Sequence, residues 1–284
     1  MIISITLVAL IVSVLTNAAY NKQKGKSCLA EKEEKEKVLE LKKNTEDDFA
    51  QKATKETNSQ DDESQIAEPL TLDKGILIAI DPGHQASEVD MSALEPNAPD
   101  SSVMKAKCTT GTSGKYSGLP EFQLNMDISL QLRDELERRG YQVLLVRENN
   151  QTAISNAERA VKASDAGADV YIRIHANGDS DANVQGALAI ISTKNNPYVG
   201  HLYDESYKLA ADILKGYLAE TKFQDRGVIE TDTMTGINWS KIPVMIMEMG
   251  FMSNQHDDVK MADSKFQKKM VKGLADGIDI YYGQ

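Results

Sequence analysis

Over residues 74–284, continuous apolar runs of strand length alternate with helix-period patterns, and few folds accommodate that alternation. The first run, "GILIAID" (75–81), is unbroken and rich in β-branched residues, as in a strand buried on both faces of a parallel sheet. "LPEFQLNMDISLQLRDELERRG" then places Leu124, Ile128, Leu132 and Leu136 on one helix face, opened by Pro120 and closed by Gly140. "YQVLLVR" is a second strand. Ser155 and Glu158 form a capping box ahead of "RAVKASDAG", and "ADVYIRIHAN" is a third strand. "VQGALAIIS", "RGVIET" and "IPVMIMEMGF" supply three more strands, "YDESYKLAADILKGYLAET" a helix, and residues 266–282 a closing helix. Alternation of this kind predicts an α/β fold: one open, mixed and mostly parallel sheet flanked by helices.

The chain ahead of this domain differs in kind. Residues 1–19 carry no charged side chain, and their apolar run over 2–15 is shorter than the roughly 20 residues of a comfortable membrane span. It reads as a signal peptide, with Ala18 and Ala19 a cleavage zone, or as a membrane anchor, and in either case the rest of the chain is expected to be exported. Residues 20–73 are dominated by Glu, Lys, Gln, Ser and Thr and are expected to form a disordered polar tether, because too little apolar surface is present to offset the entropy of ordering. The net charge of −11 comes with no basic stripe that would neutralise phosphates, which argues against direct nucleic-acid binding. Two cysteines, Cys28 and Cys108, do not make a disulfide framework, and nothing in the sequence specifies an oligomeric state.

In open α/β sheets, sites gather where the carboxyl ends of strands meet loops. Three of the expected strands finish on groups with metal or proton chemistry: His84 after "ILIAID", His175 after "DVYIRI", and Glu248 within "PVMIMEMG"; Glu121 stands in the first turn of the helix beyond the His84 loop. Each has an ordinary alternative. His84 comes after a Pro-Gly turn, Glu121 is favoured by the helix dipole, and His175 could be a hydrogen-bonded core histidine. Glu248 is the sharpest signal, since a carboxylate inside an apolar run is costly without a partner. Together, two imidazoles, a carboxylate and a spare carboxylate at one sheet edge suit a catalytic zinc. His201 and His256 lie in polar sequence and are assigned to the surface.

"IAIDPGH", "LPEFQLN", "YIRIHAN" and "PVMIMEMGFMSN", in this order, resemble the zinc-dependent N-acetylmuramoyl-L-alanine amidases, bacterial cell-wall hydrolases with a mixed sheet flanked by helices; the resemblance spans about residues 75–282. It implies one Zn2+ held by His84, Glu121 and His175, Glu248 as the catalytic carboxylate, and peptidoglycan as the substrate, cut at the amide between N-acetylmuramic acid and L-alanine. Arg147 and Arg159 match family positions of structural role. Two departures stand out. Gln85 and Ala86 occupy positions where the family commonly has Gly-Gly, and a long insertion over 86–118 separates His84 from Glu121, so this loop is expected to line or cover the groove. Arg173 stands where a small residue is usual; on a strand it shares a face with His175, which makes it a candidate for binding substrate carboxylates. The alternatives are a non-catalytic muropeptide-binding regulator on the same fold and a zinc peptidase acting within the stem peptide.

Overall fold

The computed structural model describes residues 73–284. The leader (1–19) and all of the tether (20–73) except Asp73 lie outside the described residues. The elements in chain order are β1 (Leu77–Pro82), a hairpin of β2 (Leu94–Pro96) and β3 (Met104–Ala106), α1 (Glu121–Arg138), β4 (Gln142–Leu145), α2 (Asn156–Asp165), β5 (Val170–Asn177), β6 (Ala187–Ile191), α3 (Tyr203–Thr221), β7 (Asp225–Glu230), α4 (Thr235–Asn238), β8 (Val244–Phe251), α5 (Gln255–Ala262) and α6 (Ser264–Tyr282). A six-stranded sheet runs β4-β1-β5-β8-β6-β7, parallel throughout except where β6 meets β8. No helix among the described residues is long and apolar enough to cross a membrane.

Strand parity assigns side chains to the two faces of this sheet. Ile78 and Ile80 of β1 and Ile172 and Ile174 of β5 point into one core with the α1 stripe of Leu124, Ile128, Leu132 and Leu136, and with Leu209, Ile213, Leu274 and Ile278 of α3 and α6. The four α1 residues are fully buried, and removing them from water contributes about 6–12 kcal/mol as an upper estimate. The intervening positions, Ala79, Tyr171 and Ile246, form a second core with Ala160 and Ala163 of α2 and Ile237 of α4. Asp81, Arg173, His175 and Glu248 continue from Ala79, Tyr171 and Ile246 at a period of two, so they share that second face.

Three local features depart from the expected pattern. The 86–118 insertion is not one long loop: it contains the β2–β3 hairpin, which is held to α2 by the Glu95 carboxylate accepting from Ala157 N at 3.2 Å and to the end of α4 by Trp239 Nε1 donating to Pro96 O at 3.0 Å. Three-residue strands with no alternating pattern are invisible to periodicity, and these are stabilised by partners distant in sequence. The closing helix starts at Ser264 because the Asp263 side chain accepts from Phe266 N. A further helix, α5, precedes it, capped by Asn254, which accepts from His256 N and Asp257 N.

Candidate active site

β1, β5 and β8 are neighbours at the centre of the sheet, and the groups at their carboxyl ends meet there. His175 on β5 lies in register with Glu248 on β8, which places the two on adjacent strands and the same face. His84 emerges from the turn after β1 with a φ of 61°, a left-handed conformation that histidine tolerates better than most residues. It is held there because Arg159 Nη2 donates to its carbonyl at 3.0 Å and its Nδ1 donates to the Thr109 carbonyl at 2.9 Å. The preceding Gly83 must be glycine, since a Cβ there would run into the His175 ring.

Glu121, the first residue of α1, completes the cluster. Its Oε2 accepts from Thr112 N at 2.9 Å, and its Oε1 accepts from Ala176 N and Asn125 Nδ2, each at 3.2 Å. The same Oε1 lies 3.1 Å from His84 Nε2 and 3.3 Å from His175 Nδ1. These separations match the edge of about 3.3 Å expected between ligand atoms of a tetrahedral metal at about 2.0–2.1 Å. One ligand atom from each of His84, Glu121 and His175 falls within 4.8 Å of the others. The Thr109 carbonyl fixes the proton on His84 Nδ1, which leaves a bare lone pair on Nε2 when the ring is neutral. The structure thus brings together all four residues that sequence singled out for metal and proton chemistry.

The electrostatics point the same way. Burial alone would raise the Glu121 carboxyl, but hydrogen bonds from His175 and His84 reverse this and hold it well below the usual carboxylate range. Burial pushes His175 down to about 4. Beside the ionised Glu121 positive charge is favoured: burial would lower His84, but hydrogen bonds with Cys108 and Glu121 push it up to about 10. Glu248 differs: burial, then the negative charge of Glu121, push its carboxyl up to about 8, and its Oε2 is buried without a hydrogen-bond partner among the described residues.

Beneath the cluster, arginines hold the loop ends. Asp81 accepts from Arg159 Nη1 at 2.6 Å, Arg173 Nε at 2.9 Å and Tyr171 Oη at 2.7 Å, all buried. Arg147 donates to the carbonyls of Pro82, Gly83 and Phe122, tying the His84 turn to the start of α1. Arg173 is committed to Asp81 and Asn156 yet still lines the groove beside His175. Thr109, Thr112 and Asn125 orient the cluster through backbone and amide contacts, which no residue pattern announces. His201 and His256 are exposed and away from the groove.

A family model described as N-acetylmuramoyl-L-alanine amidase matches residues 78–279. The chain is similar to YqiI of Bacillus subtilis, described as uncharacterized, at 30% identity over 168 residues, 59% of this chain and 77% of that protein. It is also 30% identical over 166 residues to the N-acetylmuramoyl-L-alanine amidase LytC of the same organism, 58% of this chain but only 32% of LytC. Among solved structures, the amidase Ami1 from Mycobacterium smegmatis superposes with a TM-score of 0.67 at 22% identity, over 75% of this chain and 99% of that one, a likeness of fold.

Proposed function

The chain belongs to the N-acetylmuramoyl-L-alanine amidase family and is a peptidoglycan amide hydrolase; from that premise we propose that His84, Glu121 and His175 hold a zinc ion and that Glu248 moves the protons of the reaction. The observation that carries this is the convergence of His84 Nε2, Glu121 Oε1 and His175 Nδ1 at 3.1 and 3.3 Å, from a turn, a helix and a strand far apart in sequence. Zinc bound there supplies Lewis-acid polarisation of the scissile carbonyl and acidification of the attacking water.

The protein's own groups do the rest. Glu248 takes a proton as water adds to the lactyl carbonyl carbon, and returns it to the alanine nitrogen as the C–N bond breaks. Burial and the neighbouring Glu121 raise the Glu248 carboxyl above the usual carboxylate range, which makes it a better proton acceptor than an exposed carboxylate and lets it hand the proton on. Glu121, already engaged by five hydrogen-bonding or ligand contacts, is a fixed anion and not a base. Arg173 faces the same groove and contributes to holding substrate carboxylates. The apolar leader over residues 1–19 serves export to the wall, as a cleaved signal or a retained membrane anchor, with residues 20–73 as the tether.

The test is digestion of purified peptidoglycan by the zinc-loaded protein, with the new ends identified by mass spectrometry. Free stem peptides and glycan with an intact lactyl ether are expected. Single amino acids or split cross-links would instead mean a peptidase, and no product a receptor.

A further inference from the structure

Two arms of the groove meet at His84, His175 and Glu248. One, of about 490 Å3, runs past Thr112, Lys115, Asn177 and Asp179. The other, of about 430 Å3, runs between the β2–β3 hairpin and the Thr233 to Gly236 segment, over Arg173. Their charge differs. The first arm sets Lys115 against Asp179, whereas the second carries Lys105 and Arg173 and no acidic residue beyond Glu248 at the junction.

Both cations of the second arm have donors to spare. Lys105, on β3, forms no ion pair among the described residues; its strand partner Glu95 is occupied at the N-terminus of α2. Its Nζ donates to the Thr233 carbonyl, which uses one of three N–H groups. Arg173 uses Nε on Asp81 and Nη2 on Asn156, and its Nη1 makes no hydrogen bond among the described residues. That end of the guanidinium lies against Gly236, where a Cβ would occupy its place. Below, one buried carboxylate, Asp81, serves two buried guanidinium groups, Arg159 and Arg173, so the floor of this arm keeps an excess of positive charge.

The scissile amide joins two chemically unlike halves. The glycan half is neutral and hydroxyl-rich once its lactyl carboxyl is an amide; the stem peptide carries the free carboxylates. We propose that the Lys105–Arg173 arm is the peptide subsite and reads a stem-peptide carboxylate, bound by Lys105 Nζ and Arg173 Nη1, while the glycan lies in the Lys115 arm. This rests on the amidase reading and deepens it. The inserted hairpin thereby becomes a specificity wall, because it delivers Lys105 to the groove. The carboxylate is either the side one at the second residue or the one at the chain end; both present the same chemistry to an ammonium and a guanidinium.

The experiment uses three soluble muramoyl peptides: one with free carboxylates, one amidated at the second residue, one amidated at the chain end. Lys105→Gln should raise KM about tenfold on the free-carboxylate substrate with kcat retained, the scale of one charge-assisted hydrogen bond. It should have no effect on whichever amidated substrate lacks the carboxylate that is read, and Lys105→Arg should restore most of the affinity. Equilibrium binding of the released stem peptides by calorimetry should show the same pattern without turnover. An equal loss on all three substrates overturns the proposal, as does a carboxylate dependence that tracks Lys115→Gln instead. If the unaltered protein releases no stem peptide from any of them yet binds the free peptide with this pattern, the catalytic reading has failed and the subsite stands.

Discussion

Asp81→Asn probes the charge balance on which the site rests. The substitution keeps size and shape and removes one buried negative charge. In the intact protein the carboxylate accepts from Arg159 at 2.6 Å, Arg173 Nε at 2.9 Å and the Tyr171 hydroxyl at 2.7 Å; Arg159 and Tyr171 are fully buried, and Arg173, 4% exposed, turns its Nε inward to Asp81, so water does not replace the lost acceptor. Breaking a buried pair by removing one partner costs about 3–5 kcal/mol, and here two guanidinium groups lose their counter-ion, which argues for the upper half, about 4–5 kcal/mol. In a domain of this size about 2–4 °C accompanies each kcal/mol, so Tm should fall by about 8–20 °C. Urea unfolding followed by circular dichroism measures the free energy. A double-mutant cycle with Arg173→Met isolates the pair: the doubly substituted protein should be less destabilised than the sum of the single changes. pH supplies a second reading. Burial would raise the Asp81 carboxyl, but the charges of Arg159 and Arg173 hold it well below the usual range. A depressed carboxylate contributes its full stability above its unfolded pKa of about 3.9 and loses it as pH falls toward the folded value. The gap in stability between the unaltered protein and Asp81→Asn should therefore be full at pH 6 and shrink below about pH 4. A loss under about 1 kcal/mol, or an additive cycle, would refute the argument that this ion cluster holds the floor of the site.

Three further outcomes bear on the chemistry. Glu248→Gln should retain bound zinc by elemental analysis while kcat falls by about 10²–10⁴, the usual contribution of a positioned proton carrier; near-normal turnover would assign the proton to another group. His84→Ala should lose stoichiometric zinc, and with it activity that added metal does not restore; a variant that still carries one zinc per chain would remove His84 from the ligand set. Gly83→Ala should displace the His175 ring, which a Cβ would strike, and lower zinc retention and activity together, with Tm changed by only a few degrees. Unchanged metal content in that variant would show that the two rings need not approach as closely as they do here.

Much of the fold is legible in the sequence alone, for a physical reason. Strands buried on both faces must be continuously apolar, helices covering them must carry a stripe, and chain breaks need turn and cap chemistry, so "GILIAID", the Leu124 to Leu136 stripe and the Ser155–Glu158 capping box announce their structures locally. The chemical residues are legible too, because a histidine or glutamate at the end of such a strand contradicts its surroundings. Only the tertiary structure decided what depends on partners distant in the chain. That His84, Glu121 and His175 face one another at hydrogen-bonding distance results from β1 and β5 being sheet neighbours and from α1 packing across them. That residues 86–118 form a hairpin that hands Lys105 to the groove depends on Trp239, Asn238 and the N-terminus of α2, contacts that no period in the sequence encodes. Local pattern is set by burial along a single element, whereas a site is a meeting of several elements, and its geometry exists only once they have packed.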